Sequence, residues 1–180
     1  MKIAITGHSS GLGKAFKEAG EKAGHECLGF SRTNGYDISK PENRKRIIEE
    51  SFDADLFINN AFNWQDSSQL EMFFEIFEAW KTRPGKIILN ISSRAPEYFE
   101  LPSVQMKYGV YKAALDIASV QAEKQHGRKC QIVNLKLGKM DTPAIAHIHC
   151  EKLKPDFVAN YVFEVLSRKD VLPSLLTLAP

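Results

Sequence analysis

The chain is poor in cysteine, in net charge and in long apolar runs, and each shortage excludes a class of protein. The three cysteines, Cys27, Cys130 and Cys150, are odd in number and far apart, so they form neither a disulfide framework nor a CxxC pair of zinc ligands. The formal net charge is only +2, without an arginine-rich segment, which argues against a nucleic-acid-binding protein. The segment from His147 to Cys150 by itself supplies too few ligands for a metal site.

The apolar runs are also short. Residues 1–6 are apolar, but Gly7 and His8 follow at once, so this segment is too short for a signal-peptide core or a membrane span. Together with the free thiols, this predicts a cytoplasmic protein that does not associate with membranes. A length of 180 residues predicts one domain that buries a core without disulfides or metals.

What the chain does contain is a regular alternation of β-like and helical segments. Apolar strands that alternate with helices predict a parallel sheet covered on both faces. Right-handed crossovers then give a doubly wound, Rossmann-type α/β domain with three layers. Its ligand would bind beyond the carboxyl ends of the strands. The predicted strands cover 2–6, 26–31, 56–58, 86–91, 131–135 and 174–178, and the predicted helices cover 12–23, 41–51, 68–82, 105–125 and 156–167.

A glycine-rich loop lies between the first predicted strand and the first helix. Gly7 permits a tight turn, Gly11 lets the backbone approach a pyrophosphate, and Gly13 lets the helix pack close to the sheet. Free N–H groups at the helix N-terminus would bind the anion. The alternative interpretation is an ordinary glycine-rich turn. The predicted cofactor contacts here are Gly7, Ser9, Ser10, Gly11, Leu12 and Gly13.

Arg32 follows the second predicted strand, where dinucleotide sites that select NAD usually carry an acidic residue. A guanidinium at this position suits the 2′-phosphate of NADP(H). The sequence therefore predicts NADP(H) as the cofactor, with a solvated surface arginine as the alternative.

Tyr108 and Lys112 are four residues apart at the start of the long predicted helix, so they share one face. A nearby ammonium group favours the phenolate and is expected to lower the pKa of Tyr108, which would suit proton exchange with a carbonyl oxygen. Upstream, Ser93 follows a predicted strand and could hydrogen-bond and orient that carbonyl. On its own, a tyrosine–lysine pair at this spacing is also common on helix surfaces.

Together these motifs resemble the short-chain dehydrogenase/reductase family over nearly the whole chain. Gly7, Gly11 and Gly13 match its TGxxxGxG, and Ser93, Tyr108 and Lys112 match its catalytic serine and YxxxK pair. The resemblance implies that Tyr108 gives the proton, that Lys112 also binds the nicotinamide ribose, and that the cofactor carries the hydride. The further cofactor contacts that it implies are Asp37, Ile38, Asn60, Ala61, Tyr108, Lys112, Gly138 and Thr142.

The sequence also departs from the family pattern. Phe62 stands where the family has the last glycine of NNAG, and Leu137 replaces the proline of its Pro-Gly. Helix 68–82 lacks the family's catalytic Asn, and Gln69 and Asp66 are the nearest polar residues. The chain is also shorter than usual members, with a missing crossover helix after Arg32 and an abbreviated lid after Thr142. Other candidates for the pocket lining are His8, Trp64, Tyr98 and Met140.

The predicted activity is reduction of a small carbonyl compound, or oxidation of the alcohol, with a small molecule as the substrate. One alternative is a catalytically weak NADP(H)-binding sensor, and another is a reductase for nucleotide-sugars. Helix 68–82 carries apolar residues on more than one face, so it needs additional cover. In the family, this helix and the tyrosine-bearing helix form a dimer interface, which predicts a homodimer through 68–82 and 105–125. Deeper burial within a monomer is the alternative.

Overall fold

The computed structural model describes residues 1–97, 103–147, 149–168 and 172–180, so the pocket candidate Tyr98 lies outside the described residues. Six parallel strands form one sheet in the order β2-β1-β3-β4-β5-β6. The strands are β1 (Lys2–Thr6), β2 (Glu26–Phe30), β3 (Leu56–Asn59), β4 (Ile87–Ser93), β5 (Gln131–Leu137) and β6 (Leu175–Leu178). The helices are α1 (Gly11–Lys22), α2 (Pro41–Glu50), α3 (Ser68–Trp80), α4 (Ser103–Glu123) and α5 (Pro155–Ser167).

Two apolar cores sandwich the sheet, because successive strand side chains point to opposite faces. Ile3 and Ile5 of β1 pack in the core under α1 and α5, whereas Ala4 packs in the core under α2, α3 and α4. The predicted doubly wound, three-layer α/β fold is therefore confirmed.

The sheet reverses its winding direction beside β1, because β2 pairs with one edge of β1 and β3 with the other. The loops after β1 and β3 therefore leave this point in different directions and open a crevice, which is where such sheets bind ligands. After β2 the chain makes only a short 3-10 turn at Arg32–Asn34. This turn agrees with the predicted loss of a crossover helix.

Strands β4 and β5 are longer than predicted. Ser92 and Ser93 are paired with Lys136 and Leu137 of β5, so the strand continues through polar residues that ended the apolar pattern. As a result, Ser93 is held at the end of a central strand and not in a loop.

Most of the large apolar residues of α3 are covered within the chain itself. Met72, Phe73, Ile76 and Trp80 are fully buried, whereas Phe74 is 44% exposed, so the predicted need of this helix for additional cover is reduced to a small part of its surface. A larger group of exposed apolar side chains lies on α4, at Met106, Val110, Ile117 and Val120. Among the described helices, none combines the length and apolar character that a membrane span requires.

Candidate active site

The glycine loop makes a tight turn directly after β1. Gly7 has a φ of +72°, and its N–H donates to the carbonyl of Phe30 at 2.7 Å, which ties the loop to the end of β2. A methyl group at Gly13 would collide with the carbonyl oxygen of Gly7 and lie 2.6 Å from Asn60 Nδ2. Gly13 therefore allows the first turn of α1 to pack against the loop.

The loop after β3 is fastened to the same turn through Thr6. The backbone N–H groups of Asn60 and Ala61 both donate to Thr6 Oγ1, at 2.9 and 3.0 Å. The Asn60 side chain donates to the carbonyl of Thr6 at 2.9 Å. These bonds hold the predicted contacts Asn60 and Ala61 beside the glycine loop, so both loops line one crevice.

The N-terminus of α1 has the features of an anion site. Ser10 precedes the helix without a side-chain cap bond, and the first turn carries no acidic residue. His8 Nδ1 is buried without a hydrogen-bond partner, so a polar group is available within the loop itself. The side chain of Leu12 is in the core, which leaves only its backbone N–H to bind an anion. These features fit a pyrophosphate.

Thr142 and Gly138 follow β5 but have different neighbours. A methyl group at Gly11 would lie 3.4 Å from Thr142 Cγ2, so Thr142 borders the glycine loop. Gly138 instead lies against the end of the chain, because a methyl group there would meet Ala179 and Pro180 at 3.2 to 3.4 Å.

Arg32 is exposed directly after β2, two residues beyond the Phe30 carbonyl that binds Gly7. Asp37 lies nearby, and its carboxylate accepts from the Ser39 N–H at 3.0 Å and from the Ser39 hydroxyl at 2.8 Å. The bond from the Ser39 N–H, with a smaller contribution from Arg32, lowers the pKa of Asp37. Its neighbour Ile38 is buried in the core under α2 and α3.

Tyr108 and Ser93 are brought together where β4 meets the start of α4. Burial of the ring raises the pKa of Tyr108, and the nearby Ser93 hydroxyl opposes that rise only in part. The direction is opposite to the predicted one. At neutral pH, Tyr108 therefore carries its proton and is suited to donate it.

Lys112 is almost fully buried, at 3% exposure. Its ammonium donates to Gln69 Oε1 and to the carbonyl of Ile91, each at 2.7 Å. Burial lowers the pKa of Lys112 to about 7, against the opposing effect of Asp116. Gln69, one of the two nearest polar residues named from the sequence, thus contacts Lys112 directly. Asp66 instead accepts a hydrogen bond from the Ser68 N–H at 2.9 Å at the start of α3.

Aromatic rings cover the Tyr108–Lys112 pair. The Phe62 ring lies edge-to-face with Tyr108 at 4.9 Å and 4.9 Å from Lys112 Nζ, while Trp64 stacks on Tyr108 at 4.9 Å. The N-terminus of α1 thus fits the pyrophosphate of a dinucleotide, whereas the Tyr108 end of the crevice is covered by aromatic rings. Lys112 would reach a ribose only after Phe62 moves.

Sequence reasoning missed Asp116, one turn beyond Lys112 on the same face of α4. Its carboxylate accepts from the Ser92 hydroxyl at 2.5 Å and from Asn134 Nδ2 at 2.8 Å, and it lies 3.4 Å from Lys136 Nζ. The spacing of four from Lys112 was the available signal. Within the described parts of the chain, no cluster of three or more His, Cys, Asp or Glu residues could hold a metal ion.

Comparison with known proteins gives similarity in structure only, since no family model and no curated protein matches the sequence. The 3-alpha-hydroxysteroid dehydrogenase of Pseudomonas sp. B-0831, complexed with NADH, superimposes with a TM-score of 0.80 at 19% identity, over 99% of this chain and 95% of that one. A short chain dehydrogenase of Burkholderia cenocepacia J2315, in complex with NADP, gives 0.81 at 17% identity, over 99% and 88%. Serine dehydrogenase of Escherichia coli gives 0.80 at 17% identity, over 99% and 97%. The predicted resemblance to short-chain dehydrogenases/reductases is therefore confirmed at the level of the fold.

Proposed function

We propose that this chain, which has the fold of the short-chain dehydrogenases/reductases, is an NADPH-dependent oxidoreductase that reduces a small carbonyl compound or oxidises the alcohol. The observation that carries the proposal is that Ser93 and Tyr108 lie close together, with the Lys112 ammonium 5.5 Å from the centre of the Tyr108 ring. This pair lies at the carboxyl edge of the sheet that also carries the glycine loop. A site that only binds a nucleotide has no need of either hydroxyl.

In the proposed reaction the nicotinamide, when bound, supplies or accepts the hydride. Ser93 orients the substrate carbonyl through its hydroxyl, and Tyr108 donates its phenolic proton to the carbonyl oxygen. In the reverse direction, Tyr108 takes the proton from the alcohol. The raised pKa of Tyr108 favours the role of proton donor. The charge of Lys112 beside the ring stabilises the phenolate that remains.

The cofactor would lie with its pyrophosphate against the backbone of Gly11 and Gly13 and the N-terminus of α1. The adenosine end would lie toward Arg32, Asp37 and Ile38. We propose NADP(H) over NAD(H) because Arg32 is exposed at this end and its guanidinium matches a 2′-phosphate. We further propose that the protein works in a reducing compartment such as the cytoplasm, since all three cysteines are free thiols.

Calorimetric titration of the purified chain with NADPH and with NADH tests the cofactor. Tight NADPH binding that Arg32→Ala weakens about tenfold or more is expected, because a paired phosphate contact is lost. Lys45→Ala is the matched control, since it removes an exposed positive charge from α2 without touching the crevice. Binding of neither nucleotide would refute the proposal.

A panel of carbonyl substrates then tests the chemistry. We expect Tyr108→Phe to lower turnover by about 100-fold or more, the usual contribution of a positioned acid, with NADPH affinity retained. Nucleotide binding without turnover of any substrate would instead favour the sensor function.

A further inference from the structure

Gln69 has a side-chain amide whose orientation is fixed by its surroundings. The residue is 3% exposed, and its Nε2 donates to the carbonyl of Asn59 at 2.8 Å and to that of Ile91 at 3.0 Å. Because two carbonyl oxygens require a donor there, the amide cannot be reversed. Its oxygen must therefore face Lys112.

A chain of buried amides holds Gln69 from behind. Asn59 Nδ2 donates to the backbone carbonyl of Gln69 at 3.0 Å and to Asn90 Oδ1 at 2.9 Å. Asn90 Nδ2 in turn donates to Ser119 Oγ at 3.0 Å. The start of α3 is thereby attached to β3, β4 and α4, and the Gln69 oxygen has little freedom to move.

The Lys112 ammonium has few other partners. Gln69 Oε1 and the Ile91 carbonyl take two of its N–H groups, and the Phe62 ring covers a further side. The charged group that acts on it from α4 is Asp116, which is itself bound by Lys136 of β5. The contact from α3 is the neutral amide of Gln69.

We propose that Gln69 is a positioning residue, which holds the Lys112 ammonium at the end of β4 and stabilises its charged form beside Tyr108. The inference rests on the proposed function for the catalytic role of Lys112. The contact between Gln69 and Lys112 is present without a bound nucleotide, so it is tested in the nucleotide-free protein. Gln69 acts through Lys112 and has no direct contact with a substrate in this arrangement.

The test is a measurement of the pKa of Lys112. NMR of the ¹³Cε carbon in lysine-labelled protein measures this pKa as the pH is changed, and the Lys112→Met variant assigns the signal. Gln69→Met keeps the length of the side chain and removes the acceptor. The expected result is a fall in the pKa of Lys112 by about one unit or more, since an ammonium loses a hydrogen bond in a dry site. Ser68→Ala is the control, because the neighbouring Ser68 is also buried and its hydroxyl has no partner. It should leave the pKa unchanged.

An unchanged pKa of Lys112 in Gln69→Met would overturn the proposal. If that variant fails to fold, the contact is measured in the wild-type protein. A nuclear Overhauser effect is then expected between the Lys112 ε-methylene and Gln69 γ-methylene protons. Its absence would overturn the proposal. NADPH titration of the same samples separates the two ideas. A pKa that depends on Gln69 in a protein that binds no NADPH would refute the proposed function and support the positioning role.

Discussion

Lys112 has an ammonium group that the fold holds almost out of contact with water. Its pKa is about 7 in the folded chain and about 10.4 in an unfolded one. Between these two pH values, Lys112 carries a proton in the unfolded chain but not in the folded one. Its contribution to the free energy of unfolding therefore rises with pH. Below pH 7 both states carry the charge, and the cost of burying it is fully present.

We therefore predict that the wild-type protein gains stability relative to Lys112→Met as the pH rises. From pH 7 to pH 9 the difference in unfolding free energy should change by about 2 kcal/mol in favour of the wild type. Urea unfolding of both proteins at pH 7, 8 and 9 measures it. A difference that stays constant with pH would show that Lys112 is not desolvated as the structure has it.

Single residues also show which properties of the site could not be predicted from the sequence. The spacing of Tyr108 and Lys112 predicts a shared helix face, and the two side chains do lie together. The direction of the Tyr108 pKa was wrong, because burial decides it and burial depends on Phe62 and Trp64, which come from another loop. The contact between Gln69 and Lys112 depends on how α3 is rotated, which periodicity does not specify.

At the scale of elements, the turn from β1 into α1 depends on close packing at Gly13, which meets the backbone of Gly7 and the side chain of Asn60. Gly13→Ala is predicted to abolish NADPH binding and to destabilise the fold by about 1 to 3 kcal/mol, the usual cost of an overpacked site. The reason is that the Gly7 carbonyl and Asn60 Nδ2 occupy the space for a methyl group. Thermal unfolding and calorimetric titration measure the two effects.

Lys14→Ala is the matched control, because Lys14 is the next residue of α1 and its side chain is 59% exposed. It should change neither quantity appreciably. An alanine at position 13 that left NADPH binding intact would mean that the loop and helix relax freely, contrary to the close packing seen here.

The elements themselves were largely predictable, because strongly apolar strands and amphipathic helices leave clear periodic patterns. The errors lie at the ends of elements. β4 and β5 extend through Ser93 and Leu137, since the partner strand satisfies their backbone groups whatever their polarity. The sequence also does not reveal that most of the large side chains of α3 fit between the sheet and its neighbouring helices, which leaves Phe74 exposed.

At the scale of the whole molecule, the described surface leaves a stripe of apolar side chains on α4 without cover. Val110 and Ile117 are each 63% exposed and lie seven residues apart, on the same face. We propose that two copies pack through α4, with α3 at its side, as the family resemblance implies. Tyr108 and Lys112 lie on this helix, so a dimer contact through α4 would also stabilise the position of these two residues.

We predict that light scattering gives twice the mass of a single chain, and that the pair Val110→Asp and Ile117→Asp gives monomers, because burying carboxylates in an interface is unfavourable. Phe157→Asp is the matched control, since Phe157 is similarly exposed, at 57%, but lies on α5 across the sheet. A wild-type mass of one chain would exclude the dimer.

The two tryptophans of the chain occupy opposite environments, which gives the molecule two separate optical reporters. Trp64 is 47% exposed and stacks on Tyr108, whereas Trp80 is fully buried in the core. Emission from Trp64 should change when a ligand enters the crevice, while emission from Trp80 should change only when the core opens. Trp64→Phe and Trp80→Phe would assign each signal, so occupancy of the site and integrity of the fold can be followed in one sample without a label.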